Sequence, residues 1–222
     1  MYRIITIERE YGSGGGEIAR ELSLRLGWAL WDHALTEEIA RVANVDCSAV
    51  QRCEERVDST FYRMAKVFWR GSNERSMALP PSNNFDADQM VEIGQKVMED
   101  VANAGKCVIV GRGAPYFLRQ HPNAFHVFLF ACREEKLRRV MALGKTEQEA
   151  NELLDTVDRE RIAFVKHYFD ADWPSRWLYH VMINTAIGNE SVISTILSTM
   201  KILEQDSKPS LTLACEPSLI KS

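Results

Sequence analysis

Residues 4–18 read IITIEREYGSGGGEI, and this stretch decides the fold that we expect for the chain. The β-branched run Ile4–Ile7 leads into a glycine-rich turn, Gly12–Gly16, which is followed by a helix predicted from Glu17 to about Leu26. Glycines allow successive backbone N–H groups to point into one concavity, and the N-terminus of a helix adds roughly half a positive charge. The stretch therefore predicts a phosphate-binding loop between a strand and a helix.

The loop lacks two residues that usually complete such a site. In the Gly-x-x-x-x-Gly-Lys pattern, a lysine reaches the β- and γ-phosphates and a nearby hydroxyl holds Mg²⁺. When a form of this pattern with one residue between the lysine and a threonine is aligned on this chain, its glycines fall on Arg9 and Gly14, its lysine on Gly15 and its threonine on Glu17. A tight turn that binds nothing is the alternative interpretation. A dinucleotide-binding turn is less consistent with the sequence, because its third glycine would fall on Glu17.

The composition is that of an ordinary globular protein with one sizeable core, since the 222 residues are 45% hydrophobic and 26% charged. The net charge of −4 argues against a general nucleic-acid-binding protein, which would carry a basic excess. No apolar run approaches the roughly 18 residues of a membrane span, and no signal-like segment begins the chain, so we expect a cytoplasmic protein. The five cysteines form no C-x-x-C pair, and Cys107 and Cys132 are expected to be buried.

Strand-like runs alternate with helical patterns along the chain. This alternation predicts a parallel sheet covered by helices on both faces, which is a three-layer α/β/α fold. The predicted strands are Arg3–Ile7, Trp28–Trp31, Cys107–Val110, Val127–Phe130 and Val181–Ile183. Further helices are predicted to begin at Thr36, at Asp86 or Asp88, at a capping box formed by Thr146 and Glu149, and at Asn189 or Glu190.

Residues 45–104 are expected to form a helical insertion between the second and third strands. A mobile loop is predicted within it at 72–84, because Pro80 and Pro81 exclude a helix there. The apolar residues at 61–69 are interpreted as a small core of this insertion, with a homodimer contact as the alternative. Residues 1–204 would then form one domain, and residues 205–222 a disordered tail.

Two charged residues are predicted beyond the carboxyl ends of strands, where ligands bind in open parallel sheets. Arg112 follows the third strand between Gly111 and Gly113, and its guanidinium can bind a phosphate or carboxylate through two hydrogen bonds. Asp32 follows the second strand, where it can accept a hydrogen bond from a substrate hydroxyl or base. The alternatives are a surface arginine in a turn and an N-cap for the next helix.

Two helical segments after the fourth strand are rich in arginine. The first contains Arg133, Arg138 and Arg139, and the second contains Arg159 and Arg161. A solvated helix face is one interpretation of such charges. The other is a pair of helices that close over the glycine-rich loop, neutralise phosphate charge and exclude water, as in phosphoryl-transfer enzymes.

Three segments together resemble the cytidylate kinase-like family: EREYGSGG at 8–15, VGRGA at 110–114 and INT at 183–185. The resemblance covers about residues 1–204, and the match is weak over 45–104. It implies a P-loop kinase fold with a five-stranded parallel sheet, an acceptor-binding insertion after the second strand and a lid at 133–168.

The resemblance also implies roles for individual residues. The loop residues would bind the ATP phosphates: Gly12, Ser13, Gly14, Gly15 and Gly16. The residues implied in catalysis are arginines: Arg112, Arg133, Arg139, Arg159 and Arg161. Asp32 and Arg112 would bind the acceptor. In place of the missing lysine and threonine, we hypothesise that Arg9 folds back to supply a charge and that Glu17 binds Mg²⁺ directly.

The function implied is transfer of a phosphoryl group from Mg-ATP to a nucleoside monophosphate, with CMP or dCMP as the first expectation. A nucleotide- or phosphate-binding module without turnover is the alternative, because Gly15 and Glu17 replace catalytic residues. A kinase of another small metabolite is a third interpretation. The expected partners are small-molecule nucleotides, with neither nucleic acid nor a membrane among them.

Overall fold

The computed structural model describes residues 1–42 and 87–205. The strands are β1 (Ile4–Arg9), β2 (Ala29–Trp31), β3 (Cys107–Val110), β4 (Ala124–Phe130) and β5 (Val181–Asn184). The helices are α1 (Gly15–Leu26), α2 (His33–Val42), α3 (Ala87–Ala104), α4 (Ala114–Phe117), α5 (Arg133–Ala142), α6 (Glu147–Phe169) and α7 (Asn189–Gln205). A short 3₁₀ turn, Thr185–Ile187, links β5 to α7.

The strands form one parallel sheet in the order β2-β3-β1-β4-β5, which confirms the predicted five-stranded α/β fold. All five carboxyl ends meet at one side of the sheet, called the carboxyl edge below. β1 lies in the centre and continues to Arg9, beyond the predicted end at Ile7. β4 begins at Ala124, earlier than the predicted Val127. The extra length of β1 places Arg9 between the ends of β3 and β4.

Helices cover both faces of the sheet, as the alternating pattern predicted. In β1, Ile5 and Ile7 are buried in a layer that includes Leu22 of α1 and Ile196 of α7. Ile4 faces the opposite side, where side chains of α2, α3 and α6 form the second apolar layer. Successive residues of a strand point to opposite faces, so a sheet buried on both sides needs continuous apolar strands.

The described part of the insertion after β2 is helical. Helix α3 packs against α2 and contributes buried side chains to the second apolar layer. The predicted mobile loop at 72–84 and the apolar residues at 61–69 lie outside the described residues. Residues 206–222 of the predicted tail also lie outside them.

Two local predictions have opposite outcomes. The capping box is confirmed, because Thr146 Oγ1 accepts a hydrogen bond from Glu149 N and the Glu149 carboxylate accepts one from Thr146 N at 2.8 Å. The prediction of two buried cysteines is wrong for Cys132, which is exposed, and right for Cys107. Strand β4 ends before Cys132, so this residue precedes helix α5 instead of lying in the sheet. Among the described helices, none has both the length and the hydropathy needed to cross a bilayer.

Candidate phosphate-binding site

The glycine-rich loop connects the end of β1 to the start of α1 at the carboxyl edge. Helix α1 begins at Gly15, earlier than the predicted Glu17, so Gly15 and Gly16 form part of its first turn. Gly12 and Gly14 have φ angles of 73° and 80°, a conformation that side chains disfavour. No side chain caps helix α1 at Gly14, so the first-turn N–H groups and the positive end of the helix dipole are left for an anion.

Helix α6 binds the backbone of the segment that leads into the loop. The Asp158 carboxylate accepts a hydrogen bond from Tyr11 N at 2.9 Å, and Arg161 Nη1 donates one to the Arg9 carbonyl at 2.8 Å. The Tyr11 side chain is buried in a small apolar cluster with residues of α5 and α6, among them Val140. The two helices predicted to form a lid therefore fix the loop in this conformation.

Arg139 of helix α5 joins the loop to the end of β5. Its guanidinium donates hydrogen bonds to the Ser13 carbonyl and, at 2.7 Å, to Thr185 Oγ1. Thr185 Oγ1 in turn donates to the same Ser13 carbonyl at 2.7 Å. A Cβ atom on Gly14 would lie 3.0 Å from Arg139 Nη1, so the guanidinium packs directly on the loop. These contacts favour a role for Arg139 in positioning the loop.

Arg9 crosses the carboxyl edge from the loop to the end of β3. A Cβ atom on Gly15 would lie 2.9 Å from Arg9 Cγ and 3.0 Å from Arg9 Cβ. A Cβ atom on Gly111 would lie 2.1 Å from Arg9 Nη1. The stem of Arg9 therefore packs on the first turn of α1, and its guanidinium lies against the glycine that follows β3.

Arg112 also lies at this edge, next to the other residue predicted to bind substrate. Arg112 Nη1 lies 3.8 Å from Asp32 Oδ1 and donates a hydrogen bond to the Val110 carbonyl at 3.3 Å. Arg112 has a φ angle of 58° between two glycines with φ angles of 68° and 69°. A left-handed arginine is strained, and such residues concentrate at functional sites.

Three guanidinium groups are buried at the carboxyl edge, since Arg9, Arg112 and Arg161 are 5%, 5% and 8% exposed. Burial, together with the charge of Arg161, lowers the pKa of Arg9 to about 10. Burial likewise lowers the pKa of Arg112 to about 10, although the Asp32 carboxylate opposes the change. Both side chains stay protonated at neutral pH. Burying like charges together is costly, so this arrangement favours an anionic ligand.

A carboxylate, Glu8, belongs to the same buried cluster. Its Oε1 atom lies 3.7 Å from Arg9 Nη1. Burial raises the pKa of the Glu8 carboxyl, and the charges of Arg9 and Arg161 act in the opposite direction. Glu8 therefore lies next to Arg9 within the buried cluster, at the end of β1.

Other residues predicted for the site lie on exposed surfaces. Arg133 is paired with the Asp155 carboxylate of α6 at 2.6 Å, and Arg159 is exposed on the same helix. Glu17 is exposed in the first turn of α1. Within residues 1–42 and 87–205, no three His, Cys, Asp or Glu side chains are grouped as metal ligands. The structure thus gathers Asp32, Arg9, Arg112, Arg161 and the loop, but not these exposed side chains.

Five residues of this region were assigned no role from the sequence. Glu8 and Asp158 are acidic partners of the arginine cluster, and Thr185 supports the loop. Lys136 Nζ lies 2.9 Å from Glu10 Oε2, which ties α5 to the chain before the loop. Thr185 had a usable signal, because it follows the fifth strand and so had to lie at the carboxyl edge. The helical positions of Lys136 and Asp158 carried no comparable signal.

A glycine-rich loop between a central parallel strand and a helix, with buried arginines at the same edge, defines a protein of the P-loop kinase fold. The sequence matches the cytidylate kinase-like family over residues 4–187, and the chain belongs to this family. Family membership assigns the chain to the kinase-like proteins.

Solved structures share this fold at low sequence identity. An uncharacterised protein from Eubacterium ventriosum has a TM-score of 0.63 and 21% identity, with coverage of 92% of this chain and 99% of that protein. A sugar kinase from Janibacter sp. has a TM-score of 0.51 and 14% identity, with coverage of 94% and 99%. These similarities concern the fold alone. None of the curated proteins compared with the sequence matches it.

Proposed function

We propose that the protein transfers the γ-phosphoryl group of Mg-ATP to a nucleoside monophosphate, with CMP or dCMP as the expected acceptor. One observation carries the proposal: the guanidinium groups of Arg9 and Arg112 are buried together beside a glycine-rich loop at the N-terminus of α1. Such a transfer needs little acid–base chemistry, because positioning and neutralisation of phosphate charge lower the barrier.

The donor phosphates fit the loop. Gly12, Ser13, Gly14, Gly15 and Gly16 supply backbone where a phosphate can approach closely, and the positive end of α1 favours its charge. The described residues offer no resident metal site. Mg²⁺ would therefore arrive with the nucleotide, and Glu17 is the acidic side chain that α1 presents in its first turn. We keep Glu17 as a proposed ligand of that ion.

The acceptor phosphate fits Arg112. Its guanidinium can donate two parallel hydrogen bonds to phosphate oxygens, and Asp32 at 3.8 Å orients it. Arg139 would act by positioning the loop, given its hydrogen bond to the Ser13 carbonyl, and Arg161 by holding the end of β1 that leads into the loop. Arg133 and Arg159 would contact phosphate only after a movement of α5 and α6. ATP and nucleoside monophosphates are cytoplasmic metabolites, so we expect the protein to act there.

A nucleotide-binding module without turnover is the second candidate. Gly15 favours it, because the position that usually provides a lysine to the β- and γ-phosphates has no side chain. Such a module would bind ATP through the loop without accelerating transfer. A kinase of another small metabolite would share the donor site and differ in the acceptor.

A panel assay separates these candidates. Wild-type protein is incubated with Mg-ATP and CMP, dCMP, UMP, AMP or GMP, and nucleoside diphosphate formation is measured. Arg112→Met, purified in parallel, excludes a contaminating kinase. Turnover of one nucleotide that is lost in the variant supports the proposal and identifies the acceptor. ATP binding without any product overturns transfer to these nucleotides and favours the binding module or a kinase of another metabolite, and the absence of both binding and product overturns the proposal.

A further inference from the structure

We infer that Arg9 supplies the cation that the P-loop lacks at position 15, and that its guanidinium acts on the γ-phosphate between donor and acceptor. This inference rests on the proposed function, because it assigns a role within that reaction. Two positions of the P-loop motif differ from the usual pattern in a complementary way. The position that usually holds glycine is Arg9, and the position that usually holds lysine is Gly15.

The packing of Arg9 explains why residue 15 is glycine. A Cβ atom on Gly15 would lie 2.9 Å from Arg9 Cγ, closer than real Cβ atoms approach other carbon atoms. A lysine at position 15 would therefore compete with Arg9 for one volume. Arg9 is the last residue of the central strand, and it is 5% exposed. Its aliphatic stem therefore has little room to move. One cation fits at this point, and here it comes from Arg9.

A second glycine determines where the charge is delivered. The Arg9 guanidinium lies so close to Gly111 that a Cβ atom there would be 2.1 Å from Nη1. Gly111 directly precedes Arg112, the residue proposed to bind the acceptor phosphate. The Arg9 stem begins beside the donor loop, at Gly15, and its guanidinium ends beside the acceptor side. This path places the cation where a phosphoryl group in transfer would pass.

The chemistry of arginine suits this position. A guanidinium has five N–H donors in a planar fork, so it can bind oxygens of two phosphates at once, whereas a lysine acts as a point charge. Glu8 at 3.7 Å from Arg9 Nη1 keeps the side chain directed along the carboxyl edge. A contact with the γ-phosphate would strengthen as that group moves towards the acceptor, and such contacts raise the rate of transfer.

The first test is Arg9→Met, which keeps the stem on Gly15 and removes the charged guanidinium beside Gly111. We expect affinity for ATP to fall about 10-fold, as for the loss of one hydrogen bond to a charged group, and affinity for ADP to fall much less. Calorimetry with ATP, ADP and a non-hydrolysable ATP analogue measures the ratio of the affinity for ATP to the affinity for ADP. Equal losses for ATP and ADP, with an unchanged melting temperature, would contradict the inference.

The second test changes residues 9 and 15. Gly15→Lys alone should impair ATP binding, since its stem collides with Arg9. Arg9→Gly with Gly15→Lys removes both side-chain atoms of that collision, Cβ and Cγ, and returns a cation to the usual position, so we expect ATP binding above that of either single variant. A merely structural role of Arg9 predicts no such rescue. A double variant no better than Arg9→Gly would count against the inference.

The third test addresses Gly111. Gly111→Ala should displace the Arg9 guanidinium and reduce the ATP-to-ADP affinity ratio as Arg9→Met does, with no further reduction in the double variant. Gly27→Ala is the matched control, because its φ angle of 65° resembles the 68° of Gly111 and no atom lies within 4 Å of the added Cβ. The control should lose stability but keep the affinity ratio. If Gly111→Ala also keeps the wild-type ATP-to-ADP affinity ratio, the proposed path of the Arg9 side chain is wrong.

The two levels of the proposal fail in different ways. If wild-type protein binds neither ATP nor ADP, the proposed function itself is overturned. If wild-type protein binds ATP and all Arg9 and Gly111 variants keep the wild-type ATP-to-ADP ratio, the proposed function stands and the assignment of Arg9 is overturned.

Discussion

The arginines of the carboxyl edge differ from those on the outer surfaces of α5 and α6, although the sequence predicted similar roles for both groups. Arg9, Arg112 and Arg161 are buried. Their guanidinium groups contact backbone carbonyls or the carboxylates of the same buried cluster. Arg133 and Arg138 are exposed and form ion pairs with carboxylates of α6 and α5. The side chain is the same, but only the buried group can meet a ligand with little competing water.

The comparison separates buried from exposed arginines, and burial, rather than the local density of arginines, is the reason that we propose a function for the first group. Exposed ion pairs are screened by solvent and contribute little to stability. Buried guanidinium groups lose hydration, which here lowers the pKa of Arg9 and Arg112 to about 10. A protein keeps such groups when a partner or ligand compensates for the lost hydration.

The largest effect expected from this comparison is that of Arg112→Met. The variant keeps an aliphatic stem of similar length and removes the proposed contact with the acceptor phosphate. We expect kcat/KM for the acceptor to fall about 100-fold, which corresponds to about 2.7 kcal/mol of transition-state stabilisation. Steady-state kinetics with the acceptor identified in the panel measures this, and thermal unfolding controls for folding. A loss below about threefold would remove Arg112 from the site.

An intermediate effect is expected for His126, a buried base, and it concerns how the stability of the protein changes with pH. His126 is 1% exposed, and its Nδ1 atom lies 2.7 Å from Thr6 Oγ1. Burial, with a smaller effect of His180, lowers its pKa from 6.5 to about 3. Between these values the unfolded chain binds more protons than the folded one. The free energy of unfolding should therefore decrease as pH falls below about 6, by about 1.4 kcal/mol per pH unit for this group.

Urea unfolding at about pH 7 and about pH 5 measures that dependence, and His126→Gln is the matched variant. His121 and His180 are present in both proteins, so the difference between the two pH dependences reports on His126 together with its coupling to these neighbours. The variant should show a smaller loss of stability between the two pH values. The same loss in both proteins would mean that His126 is protonated in the folded state.

The smallest effect is expected for Arg133→Ala. Its guanidinium is exposed and paired with Asp155 at 2.6 Å, away from the buried cluster. We expect kcat/KM to stay within about twofold of the wild-type value, because an exposed ion pair contributes little. A loss comparable to that of Arg112→Met would show that α5 and α6 close during the reaction and bring Arg133 to the phosphates. That outcome would restore the role that the resemblance implied.

Much of the site could be predicted because it follows from strand order and turn chemistry. Asp32 and Arg112 come directly after predicted strands, and carboxyl ends of parallel strands meet at one edge, so their proximity at 3.8 Å is expected. The end of β1 was predicted too early, since Glu8 and Arg9 are charged and such residues seldom continue a buried strand. The pairing of Glu8 with Arg9 at 3.7 Å allows the buried strand to continue to Arg9.

By itself, the sequence determined the strand–loop–helix unit, the parallel sheet and the edge at which charged residues gather. These features depend on patterns within a few residues, namely alternating or continuous apolar runs, glycines and helix caps. Only the tertiary structure decided which arginines are buried, and that Arg9 occupies the space beside Gly15 and Gly111. Contacts such as Arg139 to Ser13 join residues 126 positions apart, and no local pattern encodes them.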